Sequence, residues 1–246
     1  MSKFLHISDL HLREINDSPS AKCELNNLAI KRNILLHLRK IVDKEKVDAV
    51  FITGDIDYDE TCEFFPFLDD IAKKNVHLFM VFGDHDTQSM RKELSRQYHG
   101  SKYVHVLSKT SIIAPNDLSF AVFGLGCLPS QIGYKKAFSN LKPYQGLKPC
   151  VFLTHPSSPS YNFLLNLNCR YYGFGHIHYQ QIKYLKENVV CGRPGAIFSN
   201  WDGDGQTWPM GYIVGILDQN GIKVRFKQWP KRIIQTRRLY IPKRRS

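Results

Sequence analysis

From Gln219 to Ser246 the sequence contains no acidic residue, yet those 28 residues carry ten lysines and arginines. They supply +10 of the formal +12, so the preceding 218 residues are close to neutral. A positive potential concentrated in this way attracts polyanions, nucleic acid first among them. No apolar run approaches the roughly 18 residues that cross a bilayer, so no membrane association is expected. The opening segment meets an acid at Asp9 and lacks the apolar stretch of a secretory signal. The six cysteines (Cys23, Cys62, Cys127, Cys150, Cys169 and Cys191) include no CxxC or CxxxC pair. That spacing argues against a thiolate zinc site or a disulfide framework and implies a reduced, cytoplasmic protein with cysteines as small core residues. Hydrophobic residues at 43% and charged residues at 23% are the balance of an ordinary globular chain. Its 246 residues suffice for one full core. We expect one domain over 1–229 and a basic tail over 230–246, with no internal repeat or linker before the tail.

Apolar periodicity organises the first half. Lys3 to Ser8 reads as a buried strand that stops at a polar loop. Leu25, Leu28, Leu35, Leu38 and Val42 then mark an amphipathic helix over 24–44, with Lys31, Arg32, Arg39 and Lys40 on its wet side. Val47–Thr53 and Val76–Phe82 read as further strands, and 61–74 as a helix with Phe64, Phe65, Leu68 and Ile71 inward. Strand, loop and helix repeated in this way indicate an α/β sheet covered by helices. The second half is richer in strands, expected over 111–115, 118–125, 149–154 and 171–175. Gly211–Leu217 and Ile222–Gln228 form a hairpin around Asn220-Gly221. Alternation along its second strand puts Lys223, Arg225 and Lys227 in one surface row.

Five loops hold the chemistry: Asp9-Leu10-His11, Gly54-Asp55, Gly83-Asp84-His85-Asp86, Thr154-His155 and Gly175-His176-Ile177-His178. Each follows an apolar stretch, so on an α/β sheet they can converge at one edge. Half of the ten histidines lie in them. Imidazole and carboxylate without thiolate suit manganese, zinc or iron.

This order of motifs resembles the calcineurin-like metallophosphoesterase superfamily over residues 3 to about 228. The resemblance implies a four-layer α/β/β/α sandwich of two mixed sheets flanked by helices, with two divalent metal ions, manganese foremost, at one end. One ion would be held by Asp9, His11, Asp55 and His178, the other by Asp55, Asp84, His155 and His176, with Asp55 shared. Such ions activate water for in-line attack on phosphorus. His85 would protonate the leaving oxygen, with Asp86 holding its ring. The superfamily usually has Asn where this chain has Asp84, so the site carries one more negative charge. An acid also more often stands three places after the ligand at Asp55; Asp57 and Asp59 bracket that place, and neither receives a role. Arg193, on a Pro-Gly turn, and Arg13 are candidates to touch substrate phosphate.

Within the superfamily the opening motif most resembles the SbcD-like DNA-repair nucleases, as does the acid at Asp86. Lys223, Arg225, Lys227, Lys231, Arg232, Arg237 and Arg238 would then bind a nucleic-acid backbone, and Phe226, Trp229 and Tyr240 could stack on bases. The chain is too short for those nucleases' capping domain and ATPase-docking segment together, so specificity would come from a partner such as an SMC-like ATPase. The alternatives are a small-molecule or cyclic-nucleotide phosphodiesterase and a non-catalytic scaffold on the same fold.

Overall fold

The computed structural model describes residues 1–12, 21–58, 63–107, 112–127, 141–155, 165–197 and 211–229. In chain order the elements are β1 (Ser2–Ile7), α1 (Ala21–Glu45), β2 (Ala49–Thr53), α2 (Phe64–Ala72), β3 (His77–Val81), α3 (Gln88–Gln97) and β4 (Val104–Val106). There follow β5 (Ala121–Leu125), β6 (Cys150–Thr154), β7 (Tyr171–Phe174), β8 (Gln181–Lys186), β9 (Val189–Arg193), β10 (Gly211–Asp218) and β11 (Gly221–Gln228). A six-stranded sheet runs β11-β10-β1-β2-β3-β4, and a five-stranded sheet runs β5-β6-β7-β9-β8. Strands β1 to β4 are parallel, as are β5, β6, β7 and β9, while β10, β11 and β8 join antiparallel. Both sheets are therefore mixed, as the sequence implies.

Side-chain alternation along the strands builds the layers. Leu5, Ile7, Val50, Ile52, Leu78 and Met80 face the helices, meeting Leu35, Leu38, Phe64, Leu68 and Leu94. Phe4, Phe51, Phe79 and Val81 face the other way, against Val151, Leu153, Tyr171 and Val190 of the second sheet. Rings of Phe4 and Phe51 stack at 4.8 Å, and each buried ring contributes about 2 kcal/mol. A third apolar layer lies outside the second sheet, where Phe123, Phe152 and Tyr172 meet Leu141, Tyr144 and Leu167. Cys150, Cys169 and Cys191 are buried there, and no described cysteine forms a disulfide.

Some expected elements differ. Residues 112–115 form no strand, only an isolated bridge from Ile113 to Val122. Helix α3 and strands β4, β8 and β9 went unread in the sequence. No described helix is long and apolar enough to cross a membrane. Arg13, Lys231, Arg232, Arg237, Arg238 and the whole segment 230–246 lie outside the described residues.

One polar brace crosses between the sheets. His6 on β1 is fully buried, with Nδ1 at 2.7 Å from the Tyr171 hydroxyl and Nε2 at 2.9 Å from Thr53 Oγ1. Burial pushes its pKa down to about 3. An unfolded histidine titrates near 6.5, so on acidification the unfolded chain takes the proton first. The stabilisation is present above about pH 6.5 and is lost as the pH falls toward 3, roughly 2 kcal/mol of it by pH 5. We expect His6→Gln to flatten the dependence of urea-unfolding stability on pH between 6.5 and 4. An unchanged slope would assign that acid sensitivity elsewhere.

Candidate metal centre

The parallel strands β1, β2, β3, β6 and β7 all end at the same edge, and each hands over to one of the five loops. Loop backbones interlock before any side chain is considered. Asp9 N donates to Gly54 O (3.1 Å), His11 N to Asp55 O (2.9 Å) and Leu12 N to Ile56 O (3.0 Å). Asp9, His11, Asp55 and His176 all have positive φ, between 42° and 69°. A left-handed backbone at a non-glycine residue costs on the order of 1 kcal/mol or more, and such outliers gather at functional sites. Two glycines permit the close approach. A Cβ on Gly83 would stand 2.0 Å from Asp55 Oδ1, and one on Gly175 2.0 Å from Thr53 O.

The side chains collect into two adjoining groups. Asp55, Asp84, His155 and His176 offer donor atoms within 4.8 Å of one another, and so do Asp9, His11 and His178. In the first group His155 Nε2 lies 3.1 Å from Asp55 Oδ2 and 2.9 Å from Asp84 Oδ1, with His176 Nδ1 3.2 Å from the same Asp84 oxygen. In the second, His11 Nε2 is 3.4 Å from His178 Nε2, and His178 Nε2 is 3.9 Å from Asp9 Oδ1. Asp55 joins the two, its Oδ2 lying 3.9 Å from His11 Nε2. His155 Nδ1 sits 2.7 Å from Thr53 O, an acceptor only, so Nδ1 carries the proton and Nε2 is left to coordinate.

The electrostatics call for cations. Burial raises the Asp9 pKa, and its Oδ2 is buried without a hydrogen-bond partner. Burial also opposes the charge of Asp55, but the hydrogen bond and charge of His155, together with His11, lower its pKa. Asp84 is driven well below the usual carboxylate range by hydrogen bonds from His155 and His176. Burial works against protonation of His155, yet Asp55 and Asp84 lift its pKa well above the ordinary value. The clustered carboxylates thus draw positive charge to the position of His155 Nε2. Oxygen and imidazole donors around an orphaned buried carboxylate oxygen fit divalent ions of the manganese, zinc or iron kind.

His85 stands at the mouth, about half exposed, with Nε2 3.9 Å from Asp84 Oδ2 and its ring 5.2 Å from that of His11. Asp86 takes a place other than the one read from its motif. Both its oxygens accept backbone N–H groups: Oδ1 from Ile56 and Asp57 (2.9 Å each), Oδ2 from Gly83 (2.7 Å). The acid beside the His85 ring is therefore Asp84.

Arg193 is packed into the wall, its guanidinium over the rings of Phe174 (5.4 Å) and Tyr179 (5.8 Å), with Nη1 donating to the Tyr179 hydroxyl. None of its described contacts reaches the donor groups. In the basic row of β11, Lys223 is exposed. Lys227 pairs with the buried Glu45 at the end of α1, alongside Lys3, and Arg225 lies 3.7 Å from the same carboxylate. Burial opposes the charge of Glu45, but hydrogen bonds from Lys227 and Lys3 hold its pKa down. One acid among three bases leaves the patch positive, with Lys227 partly neutralised.

A family model described as calcineurin-like phosphoesterase matches residues 2–180. A solved crystal structure shares 15% identity with this chain, covering 93% of it and 99% of its own length, at a TM-score of 0.58. The structure of Vacuolar Protein Sorting 29 from Cryptosporidium parvum is 14% identical over 94% of this chain and 98% of its own, at a TM-score of 0.46. Wild-type Vps29 complexed with zinc, from Entamoeba histolytica, is 12% identical over 92% and 98%, at 0.41. No curated protein matches the sequence significantly.

Proposed function

Because the chain belongs to the calcineurin-like phosphoesterase family, we propose that it is a metal-dependent phosphodiesterase acting on nucleic acid, of the SbcD-like kind. The observation that carries the hydrolytic reading is the pair of donor groups that adjoin at Asp55, with the His85 ring half exposed beside them. Asp9, His11, Asp55 and His178 would hold one divalent ion, and Asp55, Asp84, His155 and His176 the second. When bound, such a pair activates water and offsets charge that builds on the phosphoryl oxygens.

The chain's own residues supply the rest. Asp55 keeps the two groups in register, its Oδ1 accepting His85 N at 3.0 Å. The His85 ring is about half exposed at the mouth of the ligand cluster, which suits a group that gives a proton to the leaving oxygen. Support for nucleic acid comes from the charge distribution, with ten bases and no acid after Asp218. A partner ATPase supplying specificity belongs to the same proposal. A small-molecule diester is the second reading, favoured by the engagement of Lys227 with Glu45.

The test is the manganese-loaded protein assayed on single-stranded DNA, duplex DNA, RNA and an aryl phosphodiester, with a chelator control. We expect metal-dependent cleavage of a nucleic acid, and a fall in kcat of about 10²–10⁴ in His85→Ala, the usual worth of a general acid. Turnover of the aryl diester alone would overturn the nucleic-acid assignment. No metal-dependent turnover on any ester would overturn the hydrolase.

Asp84→Asn keeps an oxygen donor and removes one negative charge. We expect weaker metal retention, read as a higher metal Kd, together with turnover at saturating metal at least equal to that of the parent, because the site pulls harder on phosphate. Lower turnover at saturating metal would contradict this account of the extra charge.

A further inference from the structure

Arg91 on α3 belongs to none of the five motif loops, yet its guanidinium faces the backbone of one of them. Nε donates to Asp86 O (2.9 Å), Nη2 to Gly83 O (2.5 Å) and Nη1 to Cys127 O (2.7 Å), over the ring of Phe82 at 5.5 Å. A planar fork of five N–H donors can hold three carbonyls in one arrangement, which a lysine ammonium cannot reproduce. From the other side, the Asp86 carboxylate takes the N–H groups of Gly83, Ile56 and Asp57. Gly83 is thus gripped at its N–H by Asp86 and at its carbonyl by Arg91. The loop carrying Asp84 is thereby tied to the loop carrying Asp55 and to the end of β5.

We propose that Arg91 and Asp86 are positioning residues that together set the separation of Asp55 and Asp84, and so the affinity of the Asp55–Asp84–His155–His176 group for its ion. The clamp holds the flanks of Asp84, whose own side chain is about 43% exposed and is otherwise placed by His155 and His176. Like charges on Asp55 and Asp84 would push the two loops apart, and the clamp opposes that. The Asp9–His11–His178 group meets the clamp only through Asp55 and its loop, so its affinity responds less. This inference rests on the metal-centre reading above.

The experiment is titration of the metal-free protein with Co²⁺, followed by visible absorption. His176→Ala identifies the step that belongs to the Asp84 group. In Arg91→Met, which keeps the apolar stem over Phe82, we expect that step to weaken about 10–100-fold, the range seen when outer-shell partners of a metal site are lost. The Asp9 step should weaken by a clearly smaller factor, and Arg91→Lys should recover part of the loss. Asp86→Asn, which sets an amide N–H against the Gly83 N–H, should weaken the same step. Circular dichroism and urea unfolding confirm that each variant is folded. Equal weakening of both steps, or no change in either, would overturn the clamp while leaving the metal centre standing. A parent protein that binds no Co²⁺ would overturn both.

Discussion

Asp55→Ala is expected to lower kcat/KM by at least about a thousandfold, roughly 4 kcal/mol of barrier, and to weaken both metal-binding steps. Asp55 is 1% exposed and its two oxygens have different tasks. Oδ2 lies between His155 and His11, one from each donor group. Oδ1 receives the backbone N–H of His85 and so supports the loop on which Asp84 and His85 stand. Removing the side chain separates the two groups and leaves His155 opposite Asp84 alone. Asp55→Asn keeps the shape but not the charge, and its loss should be smaller. Steady-state kinetics with metal titration decide the matter. A fall in kcat/KM under about tenfold in Asp55→Ala would mean that the groups act separately.

Metal loading is expected to raise the unfolding temperature by about 10–20 °C, and a chelator to reverse the rise. An ion bound only by the folded state stabilises it by about 2.7 kcal/mol at a concentration of one hundred Kd. Two sites give about 5 kcal/mol, and 1 kcal/mol moves the midpoint of a chain this size by about 2–4 °C. The structure supplies the reason for a response this large. Asp9 and Asp55 are buried carboxylates, and the Asp9 Oδ2 has no hydrogen-bond partner. Buried charge without a counterion is strongly destabilising, and binding relieves that cost. Asp9→Asn should therefore raise the stability of the metal-free protein while shrinking its response to metal. Scanning calorimetry with and without Mn²⁺ is the measurement. A shift below about 2 °C would show that the groups do not hold ions at the concentrations tested.

Much of the fold was legible because apolar alternation and helical spacing are local properties. β1, β2, β3, β6, β7 and the β10–β11 hairpin lie within two residues of where the apolar runs place them. The unread elements lack that signal. Helix α3, Gln88–Gln97, buries only Met90 and Leu94 and starts on a Thr87 cap whose hydroxyl accepts Met90 N. β8 is an edge strand, largely open to solvent, with lysines that mask its alternation. β9 is buried throughout, but it follows a two-residue turn and ends at a Pro-Gly pair that reads as loop.

The site divides in the same way. The donor residues were readable because short motifs keep their chemistry in order along the chain: Asp-x-His, Gly-Asp, Gly-Asp-His-Asp and Gly-His-Ile-His each sit at a strand end. Sequence alone determined which residues carry oxygen and imidazole donors, and that a negative charge stands at position 84. Only the tertiary structure decided that Asp86 serves backbone N–H groups, that Arg193 packs between aromatic rings, that Lys227 pairs with Glu45, and that Arg91 grips the metal loop from outside it. These four are settled by partners 3 to 182 residues away in sequence. A side chain's residue type states what it can bond; which bond it makes depends on the groups that folding brings within about 3 Å.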